Sequence, residues 1–266
     1  SSYMLAYYPF DNGTTSTSTV YNYNNGYRSL INSATINSIN TSNYVLKTSR
    51  YMMGDACFDV SYSYQPLYIP NIILTNHNIT ISFWFYKPAG EYNALNNYFF
   101  TINNNQTYAI WNSGTAVNFW GNASTTGPFN LYNSWNHIAL VISQQNSYYI
   151  GYVNGKMQAT GGTSSPFSLN TNIYIYIGSY NGANYGYTLT GSYDDVRIYN
   201  RDLTAQEIYN LYAFSTNSPN FSSVSITSNL PNTLTFNMTG IGVDYTNVLI
   251  TKNNSTIISN FFVNNS

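Results

Sequence analysis

The stretch Gly191-Ser192-Tyr193-Asp194-Asp195-Val196-Arg197-Ile198-Tyr199-Asn200-Arg201-Asp202-Leu203-Thr204-Ala205-Gln206-Glu207-Ile208 holds two elements in succession. Tyr193–Tyr199 is short and rich in β-branched and aromatic residues, the composition of a strand. Thr204-Ala205-Gln206-Glu207 then fits a capping box, in which the Thr hydroxyl and the Glu carboxylate each accept from the other's backbone amide. Ile208, Leu211 and Tyr212 follow on one helical face. A strand therefore closes into a helix of about two turns.

Working outward, the rest of the chain reads as strands. Leu5–Phe10, Ala56–Val60, Ile79–Tyr86, Tyr98–Asn103, Thr107–Asn112, Val117–Gly121, Asn136–Ser143, Tyr148–Asn154 and Asn172–Ser179 are short β-rich runs between Asn, Gly, Ser and Pro clusters. In Ile173-Tyr174-Ile175-Tyr176-Ile177 the isoleucines face one side and the tyrosines the other, so the Ile face is expected in the core. Ile79, Ile81, Phe83 and Phe85 alternate in the same way with Thr80, Ser82, Trp84 and Tyr86. Asn154-Gly155 lies between two runs and tolerates the positive φ angles of a type I′ turn, which predicts a hairpin. This is the pattern of an antiparallel sandwich.

After Tyr212 the polar, Pro-containing stretch 215–220 reads as a linker. Beyond it, Phe221–Ser228, Thr233–Thr239, Val248–Thr251 and Ile257–Val263 are strand-like. The expected organisation is a domain over 1–214 and a small β-sandwich of immunoglobulin or fibronectin type over 221–266, incomplete or one of several. The start, Ser1-Ser2-Tyr3-Met4, fits a chain that has lost a leader or is a piece of a longer one.

The segment Gly191–Ile208 closely resembles the closing strand and helix of the laminin G-like jelly rolls in the concanavalin A-like lectin/glucanase superfamily. Leu5-Ala6-Tyr7-Tyr8-Pro9-Phe10-Asp11, Asn24-Asn25-Gly26, Ala56-Cys57-Phe58-Asp59 and Leu67-Tyr68-Ile69-Pro70 look like earlier markers of that family. Ile79–Pro88, Trp135-Asn136-His137-Ile138-Ala139, Tyr152-Val153-Asn154-Gly155-Lys156 and Ile177-Gly178 complete the set in the same order. The resemblance implies an all-β fold: an antiparallel jelly-roll sandwich of two sheets, with one short helix at its C-terminal end.

Composition narrows the function. Only 6% of the 266 residues are charged, against about 25% in an average globular protein. Hydrophobic residues reach 43% and aromatic residues 18%, so the chain has ample surface to bury and is expected to fold. Eight Lys/Arg against nine Asp/Glu leave no basic field for nucleic acid or an anionic membrane. No apolar run approaches the length needed to span a bilayer. The single Cys57 forbids an internal disulfide and reads as a buried thiol. Polarity rests on 42 Asn, 31 Ser, 28 Thr and 29 Tyr, a surface with little repulsion between copies. Its ten Asn-x-Ser/Thr sequons match the number that chance yields at this composition.

The inventory argues against a hydrolase. Glycoside hydrolysis generally needs two carboxyl groups, and the only Glu residues are Glu91, in a turn, and Glu207, in the cap. Asp194 and Asp195 are adjacent on a strand and point to opposite faces, with Asp195 expected to pair with Arg197 or Arg201. His137 reads as part of the fold and His77 as a surface residue, and the two make no zinc site. The resemblance leaves calcium as a candidate ion, with Asp11, Asp59 and Asp194 at positions that look like family Asp positions. The family's acidic residue before the Asn24-Asn25-Gly26 turn is missing here.

Sugar binding needs aromatic faces beside amide and hydroxyl groups. Trp111 and Trp120 end neighbouring predicted strands beside Asn112 and Asn122, where a shallow platform could form. Two readings follow. The first is a non-enzymatic structural protein of the extracellular space, a virion or a cell surface, which self-associates into a fibre, appendage or layer through its Tyr174/Tyr176 face or through 221–263. The second is a carbohydrate-binding adhesion module, calcium-assisted or not, in which Trp111, Trp120, Asn112 and Asn122 hold a glycan.

Overall fold

In the computed structural model the described residues are 4–10, 19–22, 29–36, 45–47, 52, 57–60, 67–74, 78–89, 97–103, 105–113, 116–119, 123–124, 131–143, 145–162, 172–180, 189–216, 223–230, 233–239, 250–252 and 255–258. The chain forms two compact units, Ser1–Ile208 and Tyr209–Ser266.

The first unit holds two eight-stranded sheets. The first sheet runs, in spatial order, β14 (Lys156–Gly162), β13 (Tyr148–Val153), β12 (Trp135–Ser143), β7 (Asn78–Tyr86), β16 (Gly191–Tyr199), β5 (Cys57–Val60) and β4 (Val45–Lys47), and β1 (Met4–Tyr8) also pairs with β16. The second runs β11 (Ala123–Ser124), β10 (Ala116–Phe119), β9 (Asn105–Ser113), β8 (Asn97–Ile102), β15 (Asn172–Ile177), β6 (Leu67–Ile73), β3 (Ser29–Ile36) and β2 (Thr19–Asn22). All pairings between these strands are antiparallel, which gives the expected jelly roll with one short helix, α1 (Ala205–Thr216).

The core lies between the sheets. Ile79, Ile81, Phe83 and Phe85 of β7 meet Leu67 and Ile69 of β6 and Ile173, Ile175 and Ile177 of β15 in one buried cluster. Each fully buried Ile or Phe contributes about 1.5–3 kcal/mol, so the two alternating stretches fix which face turns inward. Asn154 and Gly155 form the predicted two-residue turn, with φ of 51° and 73° and Val153 paired to Lys156.

Four strands escape the sequence reading: β2 and β3, whose Asn, Ser and Thr content carries no alternation, and β4 and β11, which are only three and two residues long. The helix spans 12 residues, longer than two turns, because the first residue barred from a helix interior is Pro219. Its start is the predicted capping box. Glu207 N donates to Thr204 Oγ1 at 3.2 Å and Thr204 N donates to Glu207 Oε2 at 2.9 Å. Arg201 adds two bonds to the same carboxylate, at 2.6 and 2.9 Å.

In the second unit β17 (Ser223–Leu230) pairs with β18 (Thr233–Thr239), and β19 (Ile250–Lys252) with β20 (Ser255–Ile258), as two antiparallel hairpins.

Candidate functional site

The outward faces of the two sheets differ, and the difference locates the site. On β7 of the first sheet Thr80, Ser82 and Trp84, which alternate with the core, are themselves buried. Thr80 Oγ1 donates to Arg201 O at 2.7 Å and accepts from Leu203 N at 3.1 Å, which straps the helix approach across β7. Ser192 Oγ donates to Asp59 Oδ1 at 2.7 Å, and Met52 N donates to Asp194 Oδ2 at 2.8 Å. The rings of Trp84 and His137 lie 5.3 Å apart on β7 and β12. A bulge in β16 falls between Asp194 and Arg197, where Asp195 takes a φ of 52°. Asp195 then pairs with Arg197 at 3.0 Å, as expected, and the Arg197 guanidinium sits 5.0 Å over the Tyr7 ring of β1. Along β7 and β16 this face is a buried layer tied by polar contacts.

His137 of this face and Glu207 of the helix cap set an acid limit. Burial pushes His137 down from 6.5 to about 3, with Arg197 adding to it, so the folded chain keeps a neutral imidazole where an unfolded one is protonated. The hydrogen bonds from Arg201, followed by those from Thr204, hold Glu207 down from 4.5 to about 2, against the effect of burial. In both cases the unfolded state binds more protons as pH falls, so both terms destabilise toward acid. The melting temperature is expected to fall below about pH 6.5 through His137, and further below about pH 4.5 through Glu207. His137→Gln should remove the upper part of the slope in melts taken across this range. An unchanged slope would refute the assignment.

On the second sheet the outward face is different. Alternation in β15 turns Tyr174 and Tyr176 away from the core, and register sets Tyr68 of β6 directly opposite Tyr176. The three rings form one cluster: centroids lie 5.0 Å apart for Tyr68 and Tyr176, and 6.0 Å apart for Tyr68 and Tyr174 and for Tyr174 and Tyr176. All three are half-buried, so each ring shows part of its surface to solvent. Burial, then Tyr68 and Tyr174, raise the Tyr176 hydroxyl above its ordinary range, which keeps it a neutral donor and acceptor.

Amides and hydroxyls flank the cluster. Asn103, at a φ of 52° just past β8, places its Oδ1 3.0 Å from Tyr174 N while its own N donates to Tyr174 O at 3.0 Å. Asn tolerates this left-handed backbone, so its side chain extends the ladder by one step. Asn71, at a φ of 55° within β6, lies 3.5 Å from Asn172 Nδ2. At the other end Thr101 Oγ1 donates to Tyr180 O at 2.6 Å, and Tyr180 stacks 5.3 Å from Tyr98.

Among the residues singled out from the sequence, Trp111 and Asn112 belong to β9, with Trp111 in register with Tyr98 and Asn118, and Asn112 with Asn97 and Val117. Trp120, Asn122 and Asp11 lie outside the described residues, as do His77 and Glu91. Asp59 and Asp194 occupy neighbouring strands of the first sheet, each already accepting from a protein donor that a cation would displace. Among the described residues no three His, Cys, Asp or Glu side chains group together. Sequence reasoning missed Tyr68 as a site residue. Its signal lies only in the register between β6 and β15, two strands far apart in the chain.

A family model described as the concanavalin A-like lectin/glucanases superfamily matches residues 61–209. No curated protein matches the chain in sequence. Among solved structures, domain 4 of AbnA, an extracellular GH43 arabinanase of Geobacillus stearothermophilus in complex with arabinotriose, superposes with a TM-score of 0.53 at 18% identity, over 79% of this chain and 98% of that one. The binding domain of Paraclostridial Mosquitocidal Protein 1 gives 0.58 at 16% identity, over 83% and 54%. That of botulinum neurotoxin DC in complex with SialylT gives 0.53 at 13%, over 82% and 52%. The chain thus spans about half of each toxin domain. At these identities the likeness is one of fold.

Proposed function

The chain belongs to the concanavalin A-like lectin/glucanases superfamily, and from that premise we propose that it is a lectin-like carbohydrate-binding module of an extracellular, cell-surface or virion-surface protein. The observation that carries the reading is the half-exposed cluster of Tyr68, Tyr174 and Tyr176 with Asn71 and Asn103 beside it. Aromatic rings accept the C–H faces of sugars, and neighbouring hydroxyls and amides fix their orientation. Two neighbours of like fold carry sugar ligands, arabinotriose and SialylT, which supports the class without naming this chain's glycan. Residues 1–214 act as the module and 221–266 as an accompanying β unit. Among the described residues no helix is long and apolar enough to cross a membrane.

The reading is non-catalytic. The eight strands around the tyrosines contain no Asp or Glu, whereas Asp59 and Asp194 are engaged on the other sheet. Glycoside hydrolysis draws on a pair of carboxyl groups that flank the sugar. A platform built by Trp111 and Trp120 is a second proposal within the same function, which Trp111→Ala tests separately.

A glycan array probed with the full chain, followed by affinity electrophoresis on the hits, tests the proposal. Retention by at least one glycan is expected, and retention by none would end it. Binding is expected to survive EDTA, because the tyrosine site uses no cation. Loss in EDTA would support Asp11, Asp59 and Asp194 as calcium ligands. An assembly of many copies could use the same uncharged face, and sedimentation of the free chain at several concentrations distinguishes that use from glycan binding.

A further inference from the structure

We infer that the ligand of the tyrosine face is a neutral oligosaccharide, and that glycans bearing sialic or uronic acids are excluded from it. The inference rests on the carbohydrate-binding reading and adds the chemical class. Its basis is the uneven distribution of charge between the sheets. The strands of the first sheet contain Lys47, Asp59, His137, Lys156, Asp194, Asp195 and Arg197. Those of the second contain no Asp, Glu, Lys, Arg or His at all: TVYN, SLINSATI, LYIPNII, NYFFTI, NQTYAIWNS, AVNF, AS and NIYIYI.

A sugar carboxylate that leaves water must be met by a cation or by converging charge-assisted donors, because an uncompensated charge is costly to desolvate. The strands beneath the tyrosines supply neither guanidinium nor ammonium, and the N-terminus of α1 is strapped to β7 of the other sheet. A neutral sugar meets no such demand. Its apolar faces lie on the Tyr rings, and its hydroxyls exchange water for tyrosine hydroxyls and asparagine amides at little net cost. Register also sets the tyrosines in line across the sheet. Thr35, Tyr68, Tyr176 and Thr101 stand in one row across four adjacent strands, β3, β6, β15 and β8. Thr101 is buried and bonded to Tyr180 O, so Tyr68 and Tyr176 are the members of the row known to reach solvent.

The test uses one backbone in two charge states: a polygalacturonate oligomer and its carboxyl-reduced form, together with neutral arabinan and β-glucan oligomers and a sialylated oligosaccharide, titrated into the full chain at low and high salt. A neutral oligomer is expected to bind, the reduced polymer at least about tenfold tighter than its acidic parent, and salt is expected to change the neutral affinity less than about twofold, as befits strands without charged side chains. Tighter binding of the acidic or sialylated probes, weakened by salt, would overturn the inference and leave the lectin reading standing. Failure of every probe here and on the array would remove both.

Discussion

Replacing Tyr176 by alanine is expected to weaken glycan binding about thirtyfold while lowering the melting temperature only slightly. Tyr176 lies 5.0 Å from Tyr68 and 6.0 Å from Tyr174, so its loss removes one ring and the support of two others. Truncating a central tyrosine at a binding surface costs about 2 kcal/mol or more, which is about thirtyfold in affinity. The stability cost stays near 1 kcal/mol, because the ring is half-exposed and outside the main core cluster. Tyr176→Phe keeps the stacking surface and loses one hydroxyl, so it should weaken binding only a few fold. Calorimetric titration of both variants, with thermal melts alongside, separates the two contributions. If Tyr176→Ala melted lower and bound normally, the ring would be packing and the site would lie elsewhere.

The largest loss of stability is expected on the opposite sheet. Asp195→Ala should cost about 3–5 kcal/mol, the range for removing one partner of a buried ion pair. Asp195 is 4% exposed and Arg197 12%, so the guanidinium is left charged with little access to water. Burial works against that charge, and Asp195, followed by Tyr199 and Tyr7, outweighs it. Alanine also fits poorly at a φ of 52°, a conformation that Asp and Asn tolerate better. Asp195→Asn should therefore lose less. Asp195→Ala with Arg197→Met should recover much of the loss, because no buried charge remains. Urea denaturation of the three variants gives the ranking. A single Asp195→Ala loss below about 1 kcal/mol would show that the pair is screened as a surface pair is. Glycan binding, measured well below the melting transition, should be unchanged in all three, since the pair lies on the sheet that the ligand does not touch.

Much of this was legible from local sequence. Alternation in 173–177 told which side of β15 is core and put Tyr174 and Tyr176 together on the other. The capping box at Thr204, the turn at Asn154-Gly155 and the pairing of Asp195 with Arg197 span only a few residues, so local chemistry suffices to read them. The bulge was not legible. A regular pleat separates Asp194 and Asp195 by face alone and gives no sign that β16 gains a residue against β7 there, with Asp195 at a φ of 52°.

The candidate site shows the same division. Trp111 and Trp120 drew attention because each stands beside a turn. Tyr68 did not, because its partners Tyr174 and Tyr176 come more than 100 residues later and meet it only when β6 and β15 pair. By itself the sequence determined the fold class and the inward faces of the alternating strands, since hydrophobic period and side-chain type are local properties. Which tyrosines share a surface, and that one sheet is covered by Thr80, Asp59 and Asp194 contacts while the other leaves its rings half open, was decided only by tertiary structure. Register between distant strands follows from the packing of the whole sandwich, and no short stretch of the chain encodes it.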